Sequence, residues 1–295
     1  MGEIMKKILI TGIGGNVGQY IANEMFHAGY DVVGIYRNIM PKSADYELIR
    51  ADISKKLPKL QGIDAVIHIA ARLTGTVKEL INDNIKATEK LIYFAEQVYV
   101  KRFIYISTVS VYGSVEGELC ENSVVVNPEP YGMTKYLSEC LIRESIIPEK
   151  LIIQLPRMLG PFVDLENTKG SGFLTMAKKI LMGEDVICFI PEVKYNNYLH
   201  VSELEKFIEQ IFTIDKWTQN KTILLGVQEQ LTMLKILQIM KNAIGSKSKI
   251  IANSNGIVPK CSLINICKAK ELGFSPCSAE NMLERFIQEV KRIEK

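Results

Sequence analysis

Short apolar runs alternate with segments of helical period along the first half of the chain. Ile8-Leu9-Ile10 predicts a strand, the glycine turn Thr11–Gly18 follows, and Val17, Ile21, Met25 and Ala28 then keep to one helical face. Gly29 stands where a helix C-terminal cap belongs. Asp31–Tyr36 predicts a second strand, Ile49–Ile53 a short third, Ala65–Ala70 a fourth and Arg102–Ser107 a fifth. Between the last two, Val77, Leu80, Ile81, Ile85, Thr88, Leu91, Ile92 and Ala95 recur at the spacing of one long helix. Gly113–Pro130, rich in Glu, Asn, Gly and Pro, reads as a surface loop. A helix from about Tyr131 stops before Pro148, and Leu151–Leu155 is a sixth strand.

Strands alternating with helices imply an α/β fold. The expected architecture is a doubly wound parallel sheet of the Rossmann type, with ligands at the C-terminal strand ends. After Pro156 the rhythm loosens into helical pieces at 173–182, 202–214, 231–244 and 279–293, with short strands near 186–190, 222–226 and 249–252. This half predicts a smaller mixed α/β lobe. The expected division is a dinucleotide-binding domain over 1–160, joined by part of 196–226, and a mainly substrate-binding lobe over 161–295, with the boundary in the 157–172 loop.

Composition narrows the function classes. A net charge of +3 from 36 basic and 33 acidic side chains gives no electrostatic case for nucleic acid or an anionic membrane. Cys120, Cys140, Cys188, Cys261, Cys267 and Cys277 lie far apart with no nearby His to complete a metal set, which points to reduced thiols and no metal. No apolar run nears the ~18 residues of a membrane span, and Met1–Lys7 lacks the apolar core of a signal peptide. A cytoplasmic protein is expected.

The glycine turn lets backbone N–H groups approach a pyrophosphate at a helix N-terminus. Its spacing is G-x-x-G-x-x-G through Gly12, Gly15 and Gly18, not the more general G-x-G-x-x-G. Tyr131 and Lys135, four apart, project from one helical face. An ammonium there favours the phenolate, so the expected effect is a lowered tyrosine pKa and a group able to exchange a proton at a carbinol or carbonyl carbon. The pair alone is common on solvated helices; its place after the fifth strand of such a sheet argues for chemistry. Thr108 ends that strand, where its hydroxyl either meets a substrate oxygen or, with Ser107 and Ser110, satisfies loose backbone groups.

Four segments occur in order: Thr11-Gly12-x-x-Gly15-x-x-Gly18, His68-Ile69-Ala70-Ala71, Ser107–Gly113 and Tyr131-Gly132-Met133-Thr134-Lys135. With Leu155–Pro161, Leu199–Leu204 and Lys268–Phe274, they resemble the extended branch of the short-chain dehydrogenase/reductase superfamily, its nucleotide-sugar epimerase, dehydratase and ketoreductase group. The resemblance makes Thr108 the active-site hydroxyl, Tyr131 the acid/base and Lys135 its partner and a ligand of the nicotinamide ribose. It places Gly12, Gly15, Asn16, Val17, Gly18, Arg37, Asp52, Ile53, Ala70, Ala71, Arg72 and Pro156 along the cofactor. Val109, Ser110, Arg157 and Asn196 join Thr108 at the substrate, and Asn84 organises the site. His68 stays a strand residue; His27 and His200 receive no role.

Departures from the family pattern refine the function. The end of the second strand reads Tyr36-Arg37, without the carboxylate that binds an NAD ribose. An arginine there can accept a 2′-phosphate, so NADP(H) is favoured and NAD(H) is the other option; a solvated loop cation is the plain alternative. Val109-Ser110 replaces the Asp-Glu of 4,6-dehydratases, which argues against dehydration. Gln154 stands where many relatives have Arg, Arg157 where Asn is common, and Asn196 where an Arg grips the diphosphate. The leading expectation is an NADP(H)-dependent 4-ketoreductase of a 4-keto-6-deoxy sugar nucleotide, with Tyr131 as proton donor. The alternatives are a nucleotide-sugar epimerase with tightly bound NAD(P) and, behind it, a non-catalytic NADP-binding sensor. Homodimerisation through residues 77–97 and 134–146 is expected from the family.

Overall fold

The computed structural model describes residues 7–42, 44–160, 172–214, 221–253 and 262–294. The expected leaderless start over 1–6, the heart of the 157–172 loop and Cys261 lie outside the described residues.

The chain divides into two compact units, 1–114 with 121–156 and 205–224, and 115–120 with 157–204 and 225–295. The first is built on a seven-stranded sheet. Its strands are β1 (Lys7–Thr11), β2 (Asp31–Tyr36), β3 (Glu47–Arg50), β4 (Ala65–His68), β5 (Arg102–Thr108), β6 (Glu149–Leu155) and β7 (Lys221–Leu224). The spatial order is β7-β6-β5-β4-β1-β2-β3, every pair parallel, so the sheet is doubly wound and reverses direction between β1 and β4. The middles of its central strands are apolar because both faces are covered: Ile8, Leu9, Ile10, Val66, Ile67, Phe103 and Ile104 are fully buried.

Two strand ends differ from the sequence expectation for local reasons. β4 stops at His68 because the amides of Ile69 and Ala70 both turn to Thr11 Oγ1, each at 3.2 Å, and leave the ladder. β3 lies at Glu47–Arg50, earlier than expected, because Asp52 Oδ1 accepts from the Ser54 amide at 3.1 Å and turns the chain.

Helices α1 (Asn16–His27), α2 (Val77–Leu80), α3 (Ala87–Gln97) and α4 (Pro130–Glu144) belong to this unit. Gly29, just past α1, takes φ +93°, a conformation that suits glycine at a helix end. The long helix expected over 77–95 is interrupted by a π turn, Ile81–Lys86. Side chains occupy the carbonyl at its centre: Asn84 O accepts from Thr88 Oγ1 at 2.6 Å and from Ser138 Oγ at 3.3 Å. At the far end of the sheet, buried Arg102 ties β5 to Glu149 of β6 (2.7 Å) and donates to Ile211 O and Ile214 O.

The second unit holds α5 (Gly172–Met182), the start of α6 (Val201–Thr213), α7 (Met233–Ala243), α8 (Cys267–Glu271) and α9 (Ala279–Ile293). Four two-stranded pairings accompany them. One joins Gly117–Leu119 to Ser262–Ile264, so the expected 113–130 loop contains a strand. The strand expected near 222–226 is β7 of the large sheet. Among the described residues, no helix is long and apolar enough to cross a membrane.

Candidate active site

The glycine turn runs from the C-terminal end of β1 into α1. Gly12 has φ +81°, and a Cβ there would lie 2.6 Å from the Ala70 amide nitrogen. A Cβ on Gly18 would strike Gly12 O. These two glycines let β1, the chain after β4 and the first turn of α1 close on one another. Gly15 is different: a Cβ would only graze Gly12 O at 3.5 Å, so packing leaves space there. Gly15 is the N-cap, carries no side-chain acceptor, and no acidic residue follows in the first turn. A helix start of that kind, with first-turn amides unused within the helix, fits a dinucleotide pyrophosphate. Asn16 and Val17 begin the helix beside it.

Behind the turn lies a buried polar chain whose donors and acceptors can be assigned. Thr88 Oγ1 donates to Asn84 O, so it accepts from His68 Nε2 at 3.0 Å. His68 Nδ1 is then the acceptor for the Thr11 hydroxyl at 2.7 Å, and Thr11 Oγ1 accepts the amides of Ile69 and Ala70. Burial, reinforced by the charge of Lys135, pulls His68 down to about 3 and keeps it neutral. His68 is thus a structural strand residue that fixes the backbone of Ala70, next to Ala71.

Asn84 sits inside the π turn and is nearly inaccessible. Its Oδ1 accepts the Arg72 amide at 2.8 Å, and its Nδ2 donates to Arg72 O at 3.0 Å and to Thr134 Oγ1 at 2.9 Å. Thr134 Oγ1 in turn donates to Tyr131 O at 2.8 Å. One amide therefore locks the loop after β4 to the first turn of α4. The widened turn lets a mid-helix side chain reach both partners, in keeping with the occurrence of π turns at functional sites.

Pro130 at the first helical position starts α4 against the end of β5. Gly132 packs on Ser110 O so closely that a Cβ would overlap it, which seats Tyr131 beside the 3₁₀ turn Val109–Tyr112 that follows Thr108. Lys135 is buried; its Nζ donates to Ile106 O at 2.7 Å and lies 3.9 Å from the centre of the Tyr105 ring. Thr108 Oγ1 accepts the Ser110 amide at 3.2 Å and lies 3.1 Å from Ser110 Oγ. Thr108, Tyr131 and Lys135 thus meet where β5 ends.

The ionisation pattern differs from the sequence expectation. Burial pushes the Tyr131 phenol up to about 12 instead of lowering it. Burial also pulls Lys135 down to about 7, against the pull of Glu139 in the other direction. Desolvation penalises whichever form is charged, so it moves the two groups towards neutrality from opposite sides. For Tyr131 desolvation is the cause of the shift.

Residues without an assigned role in the sequence complete the floor of the site. Glu139, one turn beyond Lys135, is fully buried. It accepts Ser107 Oγ at 2.5 Å, Gln154 Nε2 at 3.0 and 3.1 Å, and Arg143 Nη2 at 2.6 Å. Gln154 Oε1 accepts the Tyr112 hydroxyl at 2.8 Å. Arg143, one turn further along α4, supplies the cation that balances Glu139. The i,i+4 spacing of Lys135 and Glu139 was the available signal.

At the β2–β3 side, Arg37 Nη1 meets Asp83 Oδ2 at 2.8 Å and Arg72 Nε meets the same oxygen at 2.7 Å. Asp52 lies after β3 with Ser54 Oγ at 2.7 Å, while Ile53 is a core residue packed with Val33 and Ile35. Pro156 is the last residue of its segment of the first unit; Arg157 and Asn196 fall in the second. There Arg157 lies 5.9 Å from the Phe173 ring centre, and Asn196 pairs both ends of its amide with the backbone of Ile264 at 2.8 Å.

Comparison with known proteins agrees with the fold. The model of the NAD dependent epimerase/dehydratase family matches residues 8–226. A Bacillus subtilis protein named as an uncharacterized UDP-glucose epimerase is 23% identical over 297 residues, covering 90% of this chain and 91% of the relative. A putative UDP-glucose 4-epimerase of Methanocaldococcus jannaschii is 24% identical, covering 91% and 93%. Among solved structures, UDP-glucuronic acid 4-epimerase from Bacillus cereus in complex with NAD superposes with a TM-score of 0.81 at 24% identity, covering 98% of this chain and all (100%) of the other. UDP-glucose 4-epimerase from Thermotoga maritima gives 0.82 at 19% identity, covering 98% and 100%. At these identities the superpositions speak for the fold.

Proposed function

The chain belongs to the NAD dependent epimerase/dehydratase family, and from that premise we propose that it is a nucleotide-sugar 4-epimerase that keeps and reuses its nicotinamide cofactor. The observation that carries this reading is the delivery of Tyr131 and Lys135 by α4 to the end of β5, where Thr108 stands, in a sheet whose first strand ends in a glycine turn that fits a dinucleotide. The leading expectation from sequence was reduction of a 4-keto sugar; the relatives named above favour its alternative, epimerisation. Val109-Ser110 still argues against dehydration, since neither side chain can act as a general acid or base.

When bound, the nicotinamide would accept a hydride from the sugar C4 and return it to the opposite face. Tyr131 Oη takes the hydroxyl proton as the carbinol becomes a ketone and gives it back on return. Burial holds the phenol protonated, so a positive charge on Lys135 is what makes phenolate accessible. Ile106 O fixes Nζ, and Thr108 Oγ1 would hold the substrate oxygen. Arg157, exposed in the second unit, is the candidate for a diphosphate oxygen in preference to Asn196, whose amide is occupied by Ile264. Leu137 on α4 and Tyr93 on α3 are exposed and would belong to the proposed homodimer face.

The test is inversion at C4 of UDP-glucose or UDP-glucuronic acid without added cofactor, followed by NMR, with wild type and Tyr131→Phe. Turnover should fall by about 100-fold or more in the variant, the range of a lost general acid/base. Stoichiometric consumption of NADPH with a 4-keto sugar, or near-normal epimerisation by Tyr131→Phe, would overturn the reading.

A further inference from the structure

Arg37 occupies the place after β2 where a dinucleotide's adenosine ribose is met. By sequence it is a cation without an acidic neighbour and invites a ribose 2′-phosphate. In the fold it has an acidic partner 46 residues away, in the π turn. Asp83 Oδ2 takes Arg37 Nη1 at 2.8 Å and Arg72 Nε at 2.7 Å, and Oδ1 takes Asn82 Nδ2 at 2.9 Å. The same Asn82 nitrogen lies 2.9 Å from Ser54 Oγ, and Ser54 Oγ donates to Asp52 Oδ1 at 2.7 Å. A single run of polar contacts therefore joins the segments after β2, β3 and β4.

We propose that Asp83 is a specificity-determining residue that withholds Arg37 from a ribose 2′-phosphate, so that the chain takes NAD(H) in preference to NADP(H). This deepens the functional reading above, resting on its nicotinamide cofactor and on no step of its chemistry.

The argument is one of competition. Asp83 has 9% of its side chain exposed, and both its oxygens are engaged. Burial alone would raise its pKa, but the hydrogen bonds from Arg37, Asn82 and Arg72 bring it down to about 2, so the carboxylate is charged at any working pH. Arg37 gives Asp83 only its Nη1 and its side chain is 39% exposed, so a phosphate dianion would meet the remaining nitrogens beside the Asp83 charge or draw the guanidinium away from it. It would then either expose a poorly solvated carboxylate or place two anions around one guanidinium. The neutral 2′-hydroxyl of NAD makes no such demand. Arg72 does not substitute for Arg37, because its Nε is held by the same Asp83 oxygen and its Nη1 lies 3.6 Å from Glu79 Oε1.

The test is a double-mutant cycle read by binding, on purified protein stripped of nucleotide. NADH and NADPH are titrated by their fluorescence into wild type, Arg37→Gln, Asp83→Asn and the double variant, and the nucleotide that co-purifies with each is identified by mass. Wild type should bind NADH more tightly than NADPH. Asp83→Asn, isosteric and uncharged, should shift the ratio towards NADPH by about tenfold or more, the scale of a charge pair released to a new partner, and Arg37→Gln in that background should abolish the shift. Arg37→Gln alone should change NADPH binding by less than about threefold, because the Asp83 carboxylate already offsets the guanidinium charge. That arm decides the matter even if Asp83→Asn fails to fold. A wild type that prefers NADPH, a ratio unmoved by Asp83→Asn, or a tenfold loss of NADPH binding in Arg37→Gln alone would overturn the proposal. Loss of C4 inversion with these ratios as expected would instead overturn the epimerase reading and leave this one standing.

Discussion

Lys135 stores a measurable cost of folding. It is buried and held by Ile106 O and the Tyr105 ring, with its pKa at about 7 against 10.5 for the ordinary group. A lysine whose folded-state pKa is depressed takes up its proton more readily when unfolded. Stability is therefore lost as pH falls through the window between the two values and regained as it rises. At about 1.36 kcal/mol per pKa unit the whole window is worth about 5 kcal/mol, of which roughly 3 kcal/mol lies between pH 6 and pH 9. Lys135→Met removes the titrating group and keeps an unbranched chain in the space. Urea-unfolding curves of both proteins at pH 6, 7.5 and 9, without added nucleotide, give the difference directly. Wild type should gain about 3 kcal/mol on the variant across that range, while the variant loses about 100-fold or more in turnover. Parallel stability–pH curves, or an active methionine variant, would refute the claim that a desolvated cation is kept here for its chemistry.

Two further outcomes follow from the same geometry. Gly132→Ala ought to gain about 1 kcal/mol from helix propensity alone. The overlap of the new Cβ with Ser110 O should reverse this to a loss of about 1–3 kcal/mol and slow turnover, because α4 must shift away from Thr108; a stable, fully active alanine variant in a melting and kinetic assay would count against the packing argument. His68 should make the first unit acid-labile. Its folded pKa of about 3 lies below the unfolded 6.5, so up to about 5 kcal/mol is lost as pH falls across that window. His68→Asn should show a flatter acid-unfolding profile than wild type, whatever its stability at neutral pH.

The sequence by itself determined whatever follows from local periodicity and local sterics. Strands β1, β2, β4, β5 and β6 are legible because both faces of a parallel sheet are buried, which leaves a short continuous apolar run at the centre of each. The glycine spacing is legible because only residues without a Cβ allow Gly12 and Gly18 their close approaches. Tyr131 and Lys135 are legible as a pair because the helical repeat alone puts them on one face. Tertiary structure decided what depends on distant contacts and on solvent. Arg37 looks unpartnered until the π turn brings Asp83 to it, and that turn is itself hidden in a stretch whose apolar spacing fits an ordinary helix. Glu139 has no assigned role in the sequence, and it is Ser107 and Gln154, from distant strands, that enclose it. The ionisation of Tyr131 and Lys135 was invisible for the same reason: an i,i+4 spacing fixes the separation of two side chains along a helix but says nothing of the water removed around them. Here it is that loss of water which sets both pKa values.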